Sequence, residues 1–551
     1  MVWRTHDVSN QIPEHSNYNL LGSDVALTEA LDRTAAWSSE QLTAFGGRLG
    51  REETFALADA ANRNPPILNA FDARGHRIDS VEFHPAWHAV LGMYREEGLV
   101  SLPFREQRPG RWPAWAAGFY MHAQIEYGTL CPATMTQASI PLLQKEPALW
   151  EALREKLFSD RYDPSDVPIA KKSSIWLGMG ITEKQGGSDV RANTTVAVPV
   201  GKGGRGGEYR LRGHKWFFSA PMCDAHLVVA RAVDTDSYAC FYVPRFRPDG
   251  SKNAVLVQRL KDKVGNRSNS SGEVEFQDAY GLLMGEEGRG IPTIIEMATY
   301  TRLNCVLGSA ALLRQALVQA LSYTRQRRAF GKKLIEHGLM RAVLVDLALE
   351  SEAALALGMR LAEAFEQQDA DDRHLAWKRI MTPAAKFWVC KRSVELTGEA
   401  MEVLGGNGYV DQGIVARLFK EAPVNSIWEG SGNVMCLDVV RALSREARLV
   451  EALISDLTEM SDGCSILTGE LSHLVKLIRL NPEMLEPSAR ILSQQLVLIA
   501  QGCLLHRYST PEISDAFIRT RLDDRRSGRV AGAIDVTNVD VDAVLSRALA
   551  M

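Results

Sequence analysis

What this sequence lacks narrows its reading first. No two of its eight cysteines form a Cys-x-x-Cys pair. That argues against a disulfide scaffold and for reduced, mostly buried thiols. No Walker-type Gly-Lys-Ser/Thr loop and no Gly-x-Ser-x-Gly elbow occurs, and no run of ligand types marks a metal site. No apolar run reaches the roughly 18 residues a membrane helix needs, and the N-terminus, MVWRTHDVSN, has no apolar core of a signal segment. A net charge of −4 gives no global attraction to nucleic acid, so any such binding needs a local basic patch. A soluble, cytoplasmic protein is expected.

What is there is organised in blocks. The 551 residues suffice for three or four domains. Residues 1 to about 175 read mostly as helices joined by polar loops, with apolar residues at three- and four-residue spacing in 90–94, 114–127 and 147–158. Between Thr194 and Phe276 come short alternating runs (TTVAVPV, EYRLRGHKWFF, HLVVARA, YACFYVP, AVLVQRL, EVEFQD) broken by Gly, Asp, Pro and Asn. They predict an antiparallel β domain. Helical periodicity then returns over 291–327 and 339–365, and in a third helix kinked near Pro383 and stopped at Gly405-Gly406. From about Glu446 the chain is helical again. The expected segments are 1–178 (helical), 179–285 (β), 286–445 (helical bundle) and 446–551 (helical tail). A βαβ alternation is absent, which argues against a doubly wound sheet.

Two motif matches carry little. GKGGRG (201–206) fits the dinucleotide fingerprint, but a strand rather than a helix follows it, so a hairpin loop is expected. His84 and His88 lie four apart, yet Pro85 marks a helix start and no zincin glutamate adjoins. GITEKQGGSDVRA (180–192) is more telling. Two hydroxyls, Thr182 and Ser188, flank Gly186 and Gly187, and such a loop either donates to an anionic or carbonyl-rich ligand or is a surface turn. SIWEGSGN (426–433) sets one carboxylate, Glu429, between a tryptophan and a Gly-Ser-Gly turn. Burial beside Trp428 would raise its pKa and a helix starting near Ser431 would lower it, and a mere capping role stays open.

These pieces together resemble the acyl-CoA dehydrogenase family. GITEKQGGSD is similar to its first signature, HKWFFSAPMCDAHLVVARA (214–232) to its flavin-stacking strand, and LKDKVGNRSNSSGEVEFQDA (260–279) to the strand pair closing its β domain. RQRRAFG (325–331), EVLGGNGYVDQGIVARLFKE (402–421) and SIWEGSGN follow in the family's order. NPPILNAFDARGHRIDSVEFHPAWH (64–88) and the tail beyond 445 resemble one branch of it, the AidB-type alkylation-inducible flavoproteins of the bacterial adaptive response.

The resemblance implies a mostly α fold with a central antiparallel β-barrel domain, a four-helix domain and a helical C-terminal extension. It implies FAD, a homotetramer with cofactor sites shared between subunits, and removal of hydrogen from the α and β carbons of an acyl-CoA thioester. Glu429 matches the catalytic base, and Arg441 a residue of the substrate channel. Cofactor contacts are implied for Met179, Gly180, Ile181, Thr182, Ser188, Trp216, Phe217, Phe218, Ser219, Arg327, Phe330, Asn407, Gly408, Ile427, Trp428, Ser431 and Asn433. Several positions depart from the family: Lys184 replaces a common Pro, Phe218 a Thr, Gln412 an acid, and Gly338 and Met435 a Gln. The cofactor scaffold is thus kept better than the polar groups around it, and weak dehydrogenase activity is expected.

The AidB branch also implies double-stranded DNA as a partner, bound through the tail. From Glu446 onward there are eleven Lys/Arg against fifteen Asp/Glu, so the tail is not basic overall. Its positive charge concentrates in Arg519, Arg521, Arg525, Arg526 and Arg529, a cluster that either neutralises phosphates or forms a solvated loop with Asp523 and Asp524. The alternative function is a working dehydrogenase of a short branched acyl-CoA with a tail used for oligomerisation. Nitroalkane oxidation is more remote.

Overall fold

The computed structural model describes residues 3–479, 485–523 and 528–550. The chain forms two compact units. One comprises Met1–Glu52, Pro109–Ile125 and Cys305–Met551, the other Glu53–Arg108 and Glu126–Asn304.

In the second unit, helix Glu52–Arg63 is followed by a feature the helical periodicity did not predict. Strands β1 (Ile67–Phe71) and β2 (Arg77–Glu82) form an antiparallel hairpin with Ile67 opposite Glu82. Its turn is built by Asp72, whose carboxylate accepts the N–H groups of Arg74 and His76, both at 2.8 Å, and by Gly75 at φ 82°. Helix Pro85–Glu96 follows, capped by the His84 ring accepting from the Ala86 N–H at 3.2 Å. His88 meets the Tyr162 hydroxyl at 2.6 Å, so both histidines serve structure.

The β domain contains β3 (Leu177–Gly180), β4 (Val196–Pro199), β5 (Glu208–Ser219), β6 (Ala225–Ala232), β7 (Ser237–Pro244), β8 (Val255–Leu260) and β9 (Ser271–Met284). Their order is β3-β6-β4-β5-β9-β7, with β8 beside β9, and a β6–β7 pairing closes the path into a barrel. The sheet is mixed rather than wholly antiparallel, because β3 and β4 both pair with β6 in parallel. Inward residues Leu211, Phe218, Val228, Phe241, Phe276 and Leu283 fill the core. GKGGRG joins antiparallel β4 and β5 as a loop, with Gly201 and Gly206 in the left-handed region.

The first unit is helical. Helix Gly338–Gln367 packs on Arg111–Ile125, and Thr382–Val403 packs on Ile414–Asn425, Gly432–Arg445 and Ala489–Tyr508. Where a kink is expected near Pro383 there is a π turn at Trp377–Met381, separated by Thr382 from Pro383, whose ring cannot donate an N–H. Helix Gly290–Gln326 is apolar and long enough to cross a bilayer, but its most apolar window is wholly buried.

Arg521, expected as a DNA contact, is instead engaged inside the fold. Arg521 sits on helix Pro511–Leu522 with its side chain buried, bonded through Nε to Glu350 at 2.7 Å and through Nη2 to Asp346. Both carboxylates are nearly inaccessible, and Arg392 shares Glu350. A guanidinium so engaged is a tie between the tail and helix Gly338–Gln367, not a phosphate ligand. Arg521→Ala strands two buried acceptors, and a loss of about 1–3 kcal/mol is expected in chemical denaturation.

Candidate functional site

The flavin-type signature is anchored from behind. At the end of β3 the chain enters the loop 181–193, and at its start the Trp216 N–H donates to the Thr182 carbonyl at 2.8 Å. The next residues on each side, Glu183 and Lys215, turn inward and form an ion pair of 2.8 Å with both side chains at 0% exposure. Lys215 Nζ also donates to the carbonyls of Val229 (2.9 Å) and Ile181 (3.3 Å). Glu183 accepts from Thr194 N (2.7 Å), Thr194 Oγ1 (3.0 Å), Thr195 N (3.1 Å) and Gln185 Nε2 (2.8 Å). Burial pushes Lys215 down to about 8 against the pull of Glu183. Burial alone would raise Glu183, but the Lys215 ammonium and the hydrogen bonds outweigh it and hold the carboxyl at about 2.

The front of the loop presents groups to solvent. A bulge in β5, where Lys215 opposes Val274 and Phe218 opposes Gly272, inserts one extra residue. Trp216 and Phe217 therefore share the outer side while Lys215 and Phe218 point in. Phe218, expected at the cofactor, belongs to the core: it stacks on His226 at 4.0 Å and fills the space a Cβ on Gly180 would need. Gly180 is accordingly a packing glycine. Lys261 Nζ lies 3.6 Å from the Trp216 ring centroid and 4.5 Å from that of Phe217. Arg259 and Lys184 stand 5.6 and 5.7 Å from Trp216, and Glu273 holds Lys261 at 2.7 Å and Arg259 at 2.8 Å. The face is aromatic and net positive.

This surface fits a flavin. The hydroxyls of Thr182, Ser188 and Ser219 have no hydrogen-bond partner among the described residues. A Cβ on Gly187 would come within 2.5 Å of Thr182 Oγ1, so glycine there keeps that hydroxyl open. Met179 and Ile181 are half-buried beside it.

In the other unit Glu429 lies between helices Ile414–Asn425 and Gly432–Arg445, half-buried and at φ 59°. A bulky residue in the left-handed region is strained and persists only where its surroundings fix it. Lys386, itself 1% exposed, does so from helix Thr382–Val403: its ammonium donates to the carbonyls of Trp428 (2.6 Å) and Gly430 (2.5 Å), on either side of Glu429. Trp428 Nε1 donates to Asn425 at 2.9 Å, and Asn425 to Ser309 at 3.1 Å. Ser431 is the N-cap residue of the next helix, as expected, though without a side-chain cap bond. Ile427 is exposed, Asn433 accepts from Arg490 of the tail at 2.9 Å, and Arg441 is exposed on the same helix.

Arg327 donates to the Asn10 carbonyl and Asn407 to Gln11 at 3.1 Å. Phe330 is 96% exposed at a hairpin turn, and Gly408 packs where a Cβ would meet the Met401 carbonyl. Lys386 and Lys261 were missed in the sequence: Lys386 lies in no recognisable pattern, and the family-like segment 260–279 that contains Lys261 does not show that its ammonium reaches the Trp216 ring.

Three family profiles match in succession between residues 10 and 444: the Adaptive response protein AidB N-terminal domain over 10–164, the acyl-CoA dehydrogenase middle domain over 178–279 and its C-terminal domain over 288–444. The "Putative acyl-CoA dehydrogenase AidB" of Escherichia coli (strain K12) is 45% identical over 537 residues, 97% of each chain. The chain belongs to the AidB branch of the acyl-CoA dehydrogenase family. Members of this family bind FAD. The acyl-CoA dehydrogenase family member 11 of Caenorhabditis elegans is 28% identical over 75% of this chain and 67% of its own. The crystal structure of Caenorhabditis elegans ACDH-11 with C11-CoA superposes with a TM-score of 0.85 at 24% identity, over 94% of both chains, which shares the fold. Bd2924 in its apo form gives 0.81 at 26% identity over 91% of this chain and all of its own.

Proposed function

We propose that this chain is a FAD-carrying, AidB-like cytoplasmic homotetramer. On this reading it binds double-stranded DNA, guards it during alkylation stress and keeps weak dehydrogenase activity toward short branched acyl-CoA thioesters, isovaleryl-CoA-like in size. The observation that carries the dehydrogenase part of the reading is Glu429, a half-buried carboxylate in a strained loop whose two flanking carbonyls are held by one buried ammonium. Such preorganisation suits a base that must meet one C–H bond.

A bound flavin supplies the acceptor for the β hydride. Glu429 removes the proton from the α carbon onto its carboxylate. Lys386 keeps the loop from relaxing. Thr182 and Ser188 offer hydroxyls, Trp216 an aromatic face, and Lys261 with Arg259 and Lys184 supply positive charge suited to an electron-rich ring. Phe218 in the core leaves Ser219 as the hydroxyl of that strand, consistent with weakened chemistry.

DNA binding is supported by membership of the AidB branch and by the exposed Arg519 and Arg529. Arg525 and Arg526 lie outside the described residues. Replacing both by Ala is expected to weaken duplex binding several-fold and to lower the slope of log affinity against log salt by about two, measured at a series of salt concentrations. Unchanged affinity and slope would remove this cluster as the contact. The buried Arg521, tied to Asp346 and Glu350 of its own chain, takes one arginine out of the DNA cluster and so leaves room for a second reading, a working dehydrogenase whose tail serves oligomerisation. An absence of duplex binding at low salt, with rapid turnover of a branched acyl-CoA, would select it.

A further inference from the structure

Arg327 and Asn407 lie eighty residues apart, yet one short stretch of chain reaches both. The N-terminal arm docks along helix Gly290–Gln326 through His15, whose N–H donates to Gln319 (2.8 Å) and whose carbonyl accepts from it (2.9 Å), and through Tyr18, whose hydroxyl donates to Gln315 (2.7 Å). Ahead of that anchor, Asn10 pairs with Arg328 in both directions: its Nδ2 donates to the Arg328 carbonyl at 2.8 Å and its Oδ1 accepts the Arg328 N–H at 2.9 Å. Its own carbonyl accepts from Arg327 Nη1. Gln11 Oε1 accepts from Asn407 Nδ2 at 3.1 Å. Glu14 Oε1 accepts the Ile414 N–H at 2.9 Å. That last bond completes a helix start that Gly413, the N-cap residue, has no side chain to cap, and it sets a negative charge at the positive end of the helix leading to the Glu429 loop.

We infer that the arm Asn10–Tyr18 is a working part of the cofactor site, with Asn10 and Gln11 acting as positioning residues for Arg327 and Asn407 toward a flavin dinucleotide. The inference rests on the flavin reading above. A long cationic side chain and an exposed amide each lose rotamer freedom when they grip a ligand, and groups already held lose less. The Asn10 carbonyl uses one of the five guanidinium donors of Arg327 and leaves four for phosphate oxygens. Glu14 of the same arm also steadies the start of the helix that leads to the Glu429 loop, so the arm joins two cofactor contacts to the catalytic segment.

The test is FAD affinity of the deflavinated protein, read from flavin fluorescence on titration. Asn10→Ala/Gln11→Ala is expected to raise Kd about tenfold or more, while Gln11→Glu, which keeps the acceptor, stays within about threefold of the wild type. Asn407→Ala should weaken binding, and adding Gln11→Ala to it should cost nothing further. Unchanged Kd in the double variant overturns the inference, and so does full additivity of Asn407→Ala and Gln11→Ala. Equal loss in Gln11→Ala and Gln11→Glu would reduce the arm to a fold element and also overturn it. Wild-type protein that takes up no FAD would instead remove the flavin reading itself, and this inference with it.

Discussion

Lys215→Met is expected to destabilise the β-domain unit by about 3–5 kcal/mol and to release bound FAD. The substitution keeps the stem's volume but leaves the Glu183 carboxylate buried at 0% exposure without its cation. The damage would spread outward, because Trp216 and Thr182 are the immediate neighbours of the pair and share a backbone hydrogen bond. Lys215 is pushed down to about 8 by burial even beside Glu183, so the ammonium gains less from its partner than it loses to desolvation. The pair therefore specifies the loop's position more than it adds net stability. Removing both charges with Lys215→Met/Glu183→Gln should accordingly cost less than removing one. Acid tests the same pair. The folded carboxyl of Glu183 titrates at about 2 against an ordinary 4.5, so its contribution is whole above pH 4.5 and is lost as pH falls toward 2. Denaturant midpoints measured across that window should fall for the wild type and fall less for the double variant.

Glu429→Gln is expected to slow acyl-CoA-dependent bleaching of the flavin by about 10²–10⁴-fold while FAD stays bound. The amide is isosteric, tolerates the φ of 59° as well as the acid does, and leaves Lys386 on the Trp428 and Gly430 carbonyls. It removes only the ability to take a proton. Stopped-flow absorbance separates the two outcomes: slow bleaching with flavin retained marks a base, whereas loss of flavin marks a structural residue.

Much of this organisation could be read in the chain before its structure. Long helices such as 290–326 and 338–367 carry extended apolar periodicity, and the β runs between 194 and 276 stand out as short apolar stretches, partly alternating in Glu208–Ser219 and buried almost throughout in Ala225–Ala232 and Ser237–Pro244. The hairpin 67–82 escaped notice because its residues are mostly half-buried on both faces, which erases alternation. The parallel pairings of β3 and β4 with β6 are non-local, and no local pattern encodes them. Motifs that fix residue type marked Glu429, Trp216 and Thr182 as candidates, and the structure sets Trp216 against Thr182 and holds Glu429 at φ 59°. Motif position did not reveal direction: the β5 bulge sends Phe218 inward although its neighbours face out. Composition likewise placed Arg521 in a basic cluster, while its true partners, Asp346 and Glu350, lie more than 170 residues away. Lys386 acts through two backbone carbonyls, a relation that leaves no trace in sequence.

The most direct measurement is anaerobic titration of the purified, FAD-reconstituted protein with a short branched acyl-CoA, followed by visible absorbance. The expected result is a yellow protein whose flavin bleaches slowly and incompletely in the wild type and not at all on the same timescale in Glu429→Gln. Folded protein that stays colourless through reconstitution, or bleaching equally fast in both forms, would contradict it.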